Sequence, residues 1–319
     1  MNFSVGLQID NSGFLKKIIE NRDRINDVYF SWGDFPSGRG AAVQSQQLTS
    51  WELQSKMLEA LGELGENGIA FNLLFNGNCY GAESQSRDFF NRVGNTVDFL
   101  SERFSLKSVT TSSLLIAKFI KANFPSIFVR ASVNMEIGTV QGMKYISDYF
   151  DGFYLKREFN RDVARIREMK AWCDQSGKKL FLLANSGCLN FCSARTFHDN
   201  LVSHENEISK MDNAYDFHGV CRDYLKNEEN YCDLYDNMNF VRPEELESYE
   251  PYFESVKLAT RVHPDPSFVL ETYLRGRYSG DLLRLLEPCH SIYPYVLENS
   301  DKVKVKKLDL GKEEEYVKQ

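Results

Sequence analysis

No apolar run in this chain of 319 residues approaches the ~20 residues that a membrane-spanning helix needs. Basic blocks are absent before the C-terminal tail, and the net charge is -7. That balance argues against a broad electrostatic grip on nucleic acid and leaves room only for a local basic groove. Met1–Asp10 carries no charged leader and reads as a first strand, so the expectation is a soluble, cytoplasmic protein with no membrane partner. The chain also lacks His-Glu-x-x-His, because Ile208 stands where a second histidine would follow His204-Glu205. Neither a P-loop nor a Gly-x-Ser-x-Gly elbow is present. No strand leads into a glycine-rich dinucleotide fingerprint; Gly38-Arg39-Gly40 comes nearest and is weak evidence.

What is there is a rhythm. Short apolar, β-branched or aromatic runs fall at Ser4–Ile9, Asp27–Trp32, Ile69–Phe75, Lys107–Ser112, Ile127–Val133, Gly152–Lys156, Lys179–Ala184 and Ser255–Thr260. Between them, apolar positions return every three or four residues, as in Leu48–Leu64, Phe89–Phe104, Leu114–Asn123 and Val163–Cys173. Pro125 and Gly177 mark two of the returns from helix to strand. Alternation of this kind predicts a parallel sheet, and the strand count predicts a closed (β/α)8 TIM-like barrel, with an open doubly wound sheet as the alternative. We read one domain over residues 1–299. It carries a long insertion, 186–239, and ends in a charged, solvated tail over 300–319.

The insertion holds Cys188, Cys192, Cys221 and Cys232, four of the seven cysteines, together with His198, His204 and His218. Clustered thiols in a chain without an export signal point to a metal centre or redox chemistry in preference to disulfides. If Cys188 and Cys192 lie on a helical turn, their spacing puts both sulfurs on one face. Zinc and an iron–sulfur cluster both accept four thiolates, and no Cys-x2-Cys pair or ferredoxin run selects between them. Cys173, on an apolar helix face beside Trp172, reads as core. Cys79, past the third strand, reads as either a reactive or a packed thiol.

On a barrel, polar residues at the C-terminal strand ends are the first candidates for chemistry. They are Gln8, Asp10, Trp32, Asp34, Asn76, Cys79, Ser112, Asn134, Glu136, Arg157, Glu158, Asn185, Arg261 and His263. Most such residues cap helices or close turns, and Asp10 and Asp34 sit where an N-cap belongs. Arg157-Glu158, directly after Phe153-Tyr154-Leu155, reads as an anion-binding pair or as a structural ion pair.

Several pieces resemble the collagenase-like peptidases, peptidase family U-32. They are Val28-Tyr29-Phe30, Asn72-Leu73-Leu74-Phe75-Asn76, Ala131-Ser132-Val133-Asn134-Met135, Leu155-Lys156-Arg157-Glu158, Arg242-Pro243-Glu244-Glu245-Leu246 and Val256-Lys257-Leu258-Ala259-Thr260-Arg261. The resemblance implies a barrel whose cysteines hold a 4Fe–4S cluster. Some branches of that family are oxygen-independent hydroxylases of RNA bases or quinone precursors. By position the implied ligands are Cys188, Cys192 and Cys221, with Cys232 as the fourth, Cys289 in reserve and His218 behind it. Phe217 stands where the family has a cysteine, and Ala259-Thr260 replaces its Glu-Gly. The expected enzyme acts on a small-molecule or RNA substrate, with an electron donor or subunit as a possible partner. Arg157 and Arg261 would grip a carboxylate or phosphate, while Asn76, Asn134 and Glu158 orient the acceptor. A peptidase, and a non-catalytic barrel with structural zinc, are the alternatives.

Overall fold

The computed structural model describes residues 1–33, 35–38, 49–215, 217, 219–289, 295–300 and 303–307. Asp34, Arg39, Gly40, His218 and most of the tail lie outside the described residues. Eight strands close into a parallel barrel in chain order. They are β1 (Phe3–Gly6), β2 (Ile25–Phe30), β3 (Phe71–Phe75), β4 (Leu106–Thr111), β5 (Phe128–Ala131), β6 (Gly152–Tyr154), β7 (Lys179–Leu183) and β8 (Val256–Leu258). Closure is made by β8 on β1, where Phe3 faces Val256 and Val5 faces Leu258. Each of the eight runs read from the sequence overlaps one of these strands, and the (β/α)8 expectation holds.

Local chemistry sets where the outer helices begin. Helix α1 (Ser12–Glu20) is capped by Asn11, not by the expected Asp10, which instead pairs with Lys56 at 2.8 Å on the surface. Thr49 and Glu52 form a reciprocal capping box on α2 (Ser50–Glu66). Ser86 caps α3 (Arg87–Arg103), Ser113 caps α4 (Leu114–Asn123) and Asp162 caps α6 (Val163–Gln175), after the short α5 (Val140–Tyr145).

Strand residues alternate sides. The outward row, including Val5, Val28, Phe30, Leu73, Val109, Val129, Phe153, Leu182 and Leu258, packs in the large core shared with the helices. The inner row differs from the apolar filling usual in such barrels. Asp27 and Arg130 form a buried ion pair at 2.8 Å, Thr110 donates to Asn72 at 3.0 Å, and Lys257 lies over the Tyr29 ring at 3.9 Å. Val133, Tyr154, Phe181 and Leu183 form a small separate apolar cluster.

Between β7 and β8 the chain forms α7 (Arg195–Ser203), α8 (Glu205–Ile208) and α9 (Val220–Tyr224). After β8 comes α10 (Pro266–Arg275), followed by a small antiparallel sheet of β9 (Gly280–Asp281), β10 (Tyr295–Asn299) and β11 (Lys304–Lys307). The expectation of a solvated appendage beyond 300 is therefore corrected for 303–307. Val303 and Val305 give that segment an apolar side, and Leu297 of β10 faces Val305. No helix among the described residues is long and apolar enough to cross a membrane.

Candidate functional site at the barrel mouth

At the C-terminal ends of the strands opens a cleft of about 480 Å³, its open mouth included. Its cationic lining comes from Arg157, Lys257 and Arg261, and Asn76, Asn134 and Glu287 complete the polar wall. Another depression, near Lys179 and Glu254, lies at the opposite strand ends, the face usually given to stability.

Arg157 is buried and held from several sides. Its Nη2 donates to Asn134 Oδ1 at 3.2 Å and lies 3.7 Å from Asp199 Oδ2, while Nη1 approaches Cys188 Sγ at 3.5 Å. Asn134 in turn donates from Nδ2 to the Asn76 carbonyl at 3.1 Å, and Asn76 Oδ1 accepts from Gly38 N–H at 3.1 Å. Arg261 Nη1 donates to Ser31 Oγ at 3.4 Å. Four of the five expected substrate-side residues, Arg157, Arg261, Asn76 and Asn134, thus share one wall. Glu158 does not: its Oε1 accepts from Arg195 Nη2 at 3.0 Å, away from the cleft lining. The structural ion-pair reading of that carboxylate is the one its geometry matches.

Among the other strand-end residues the structural roles prevail. Gln8 donates to the Thr260 and His263 carbonyls, and Trp32 packs on Phe99. Ser112 donates to the Gly77 carbonyl, and Asn185 links the β7 end to Ala259 and Leu285. Glu136 faces Lys156 and Arg195 at 3.8 and 3.6 Å.

The loop bearing Cys188 and Cys192 is not a helical turn. It bends at Asn190-Phe191, with Phe191 at φ 51°, and α7 begins only at Arg195. Its position comes from its neighbours. Asn190 N–H donates to the Asn237 carbonyl at 2.8 Å, Asn239 Nδ2 to the Cys188 carbonyl at 3.0 Å, and Gly187 N–H to the Glu287 carbonyl at 3.0 Å. A third thiol joins from α9. Burial, and then the nearness of Cys188 and Cys192, push the Cys221 thiol up. Burial works against the charge of Arg195, but Cys188, Glu158, Glu136 and Asp199 outweigh it and raise its pKa. Cys188 thus stands beside Arg157, with Cys192, Cys221 and Arg195 near enough for their charges to be felt.

Cys232 is not brought to them. It stands exposed after the turn Glu228–Tyr231, whose Tyr231 stacks on Tyr295 and whose Glu228 pairs with Lys307 at 3.1 Å. Cys289 is also exposed and donates to the Leu283 carbonyl at 3.1 Å. Among the described residues, no group of three or more histidine, cysteine, aspartate or glutamate side chains is arranged to hold a metal ion. Cys188, Cys192 and Cys221 are of the donor type that a thiolate-bound centre uses, but in this arrangement they do not converge on one ion. The fourth ligand does not come from Cys232 in this arrangement. Cys173 is core as expected, its thiol pushed up by burial to about 12.

Sequence reasoning missed Lys257 and Arg195. A lysine between Val256 and Leu258 in a buried strand was the available signal, since alternation turns it into the barrel. Arg195 had none, because its partners are distant in the chain.

No family model matches the chain. Over 150 residues it is 31% identical to an uncharacterized protease of Methanocaldococcus jannaschii, covering 46% of this chain and 43% of that protein. The chain thus matches less than half the length of this curated relative. The solved U32 peptidase Mk0906 superposes with a TM-score of 0.56 at 12% identity, covering 81% of this chain and 91% of that one, which bears on the fold. A phosphodiesterase of Oleispira antarctica reaches a TM-score of only 0.39 at 15% identity, over 66% and 97%, too low to bear on function. Over those 150 residues the chain is similar to the archaeal protease, and it shares its barrel fold with the U32 peptidase, in line with the family resemblance of its strand-end motifs.

Proposed function

We propose that the chain is an iron–sulfur enzyme of this family, acting on a carboxylate- or phosphate-bearing substrate at the barrel mouth. Arg157 carries the reading: one buried guanidinium both lines the cationic cleft and stands 3.5 Å from Cys188. Cys188, Cys192 and Cys221 are the thiols that would hold a 4Fe–4S cluster, which supplies redox chemistry such as oxygen-independent hydroxylation when bound. Arg157 and Arg261 bind the anionic group through their planar forks, and Lys257 adds a buried positive charge below it. Asn134 and Asn76 fix the Arg157 plane and the loop beside it. The net charge of -7 favours a small molecule over RNA as substrate. Oxidation and reduction at such a site draw on a separate electron donor as partner.

Anaerobic purification should yield brown protein with stoichiometric iron and sulfide, both lost in Cys188→Ala. Colourless protein carrying only zinc would sink the reading and leave the thiols as a structural tie. Arg157→Lys, which keeps the charge but loses the fork, should weaken substrate or phosphate binding by about 1.5–3 kcal/mol, roughly tenfold to a hundredfold, in calorimetry. A second reading, peptidase, is favoured by the names of the archaeal relative and of the solved U32 barrel. Gelatin hydrolysis that survives Cys188→Ala would select it.

A further inference from the structure

After β2 the chain makes a short strap, Phe35-Pro36-Ser37-Gly38, that lies across the end of β3. Phe35 anchors it in the core, edge to face with Phe75 and Phe89 at 5.0 and 5.9 Å between ring centres. Pro36 rests on Gly77, where an added Cβ would lie 2.8 Å from the Pro36 Cβ and 2.9 Å from its backbone. Ser37 Oγ and Gly38 N–H both donate to Asn76 Oδ1, at 3.4 and 3.1 Å. The loop beneath the strap is itself tied down. Ser112 donates to the Gly77 carbonyl, and Asn78 N–H donates to Ser203 Oγ of α7 at 2.8 Å. Cys79, next in that loop, is half-buried and stands outside the cleft lining.

The strap ends against the amide that holds Arg157. A Cβ at Gly38 would overlap Asn134 Nδ2 and lie 2.8 Å from the Asn76 carbonyl oxygen. That Nδ2 donates to the same carbonyl at 3.1 Å, and Oδ1 of the amide accepts from Arg157 Nη2 at 3.2 Å. Displacing the amide at one end therefore displaces it at the other. We propose that the strap is a positioning element of the cleft and Gly38 its contact residue. With no side chain at 38, Asn134 stays where it sets the plane of the Arg157 fork. Gly38 also lines the cleft, so its backbone bounds the space that an anion enters. The inference rests on the reading of this cleft as an anion site. Two-point binding of a carboxylate or phosphate needs the guanidinium plane aligned, whereas attraction between charges does not. A tilted fork thus loses directed bonds and keeps its charge. Gly77 acts at one remove: a side chain there lifts Pro36, and Gly38 with it, without reaching the cleft lining.

The test is titration of the full chain with inorganic phosphate, followed by phosphorus NMR line broadening, which reads weak binding and does not depend on iron content. Gly38→Ala should weaken phosphate binding about tenfold, the loss of one charge-assisted hydrogen bond. Gly77→Ala should weaken it in the same direction by a smaller factor. In an Arg157→Lys background no fork remains to be aligned, so Gly38→Ala should there change the affinity less than about twofold. A glycine needed only for packing would lower the melting temperature and leave the affinity, and its dependence on Arg157, unmoved. Protection of buried Cys173 from alkylation reports that a variant is folded. Should Gly38→Ala expose it, Gly77→Ala carries the same cycle. Unchanged affinity in the folded glycine variants, or an equal loss with and without the Arg157 fork, overturns the strap proposal alone. A wild-type chain that binds no phosphate overturns it together with the anion reading of the cleft.

Discussion

At Asp27 and Arg130 a carboxylate and a guanidinium meet inside the barrel at 2.8 Å, with the Arg130 guanidinium also 4.6 Å from the Phe181 ring centre. Neither charge has solvent to fall back on, so each depends on the other. Replacing one alone leaves the partner buried and uncompensated. Asp27→Ala should therefore cost about 3–5 kcal/mol in denaturant unfolding. An apolar pair of similar volume at both positions should recover most of that loss, and a double-mutant cycle checks the coupling. Both residues were readable as strand positions, but their pairing was not. Asp27 and Arg130 belong to β2 and β5, and only barrel closure carries them to one axis.

At the scale of elements, the turn between β7 and the thiol loop leaves no room for a side chain at Gly187. A Cβ on Gly187 would lie 1.9 Å from the Pro288 carbonyl oxygen, a backbone atom that cannot swing aside. Gly187→Ala should push the loop away from the Glu287-Pro288 segment packed against it. We expect a loss of about 1–3 kcal/mol, the range for overpacking, and faster alkylation of Cys188 in the folded protein. Unchanged stability and reactivity would show that the loop is not pinned there. The Asn-Ser-Gly turn was legible in the chain, and so was the end of β7. The direction the loop takes afterwards was not. Cys188 and Cys192 suit a helical turn by spacing, yet the backbone follows the pairing of Leu189 with Met238 and of Asn190 with Asn237. Those bonds join residues some fifty positions apart, beyond any local pattern.

For the whole molecule, His263 links pH to stability. Burial holds its imidazole below the ordinary 6.5, with Glu287 and two backbone hydrogen bonds opposing. Nδ1 accepts from Asp265 N–H at 3.0 Å and Nε2 donates to the Arg284 carbonyl at 3.1 Å, an arrangement that requires the neutral ring. A lowered folded pKa means that the contribution is present above 6.5 and lost as pH falls through the folded value. Thermal unfolding should show stability declining below pH 6.5. His263→Gln should be less stable at pH 7, by about 1–3 kcal/mol, and should lose part of that slope. An identical slope in the variant would place the acid sensitivity elsewhere.

Strand and helix order, closure into eight parallel strands, and the assignment of chemistry to the C-terminal strand ends were all contained in the chain. They follow from local hydrophobic period, caps and strand count, which act over a few residues at a time. The same local signals led to Arg157, Asn134, Asn76 and Arg261. Tertiary structure alone decided which charges neutralise each other and which thiols meet. It turned Glu158 to Arg195, left Cys232 beside the C-terminal sheet, and folded 303–307 into that sheet. Contacts between residues remote in sequence are chosen by which surfaces the closed barrel brings within a few ångströms, and no periodicity along the chain encodes that choice.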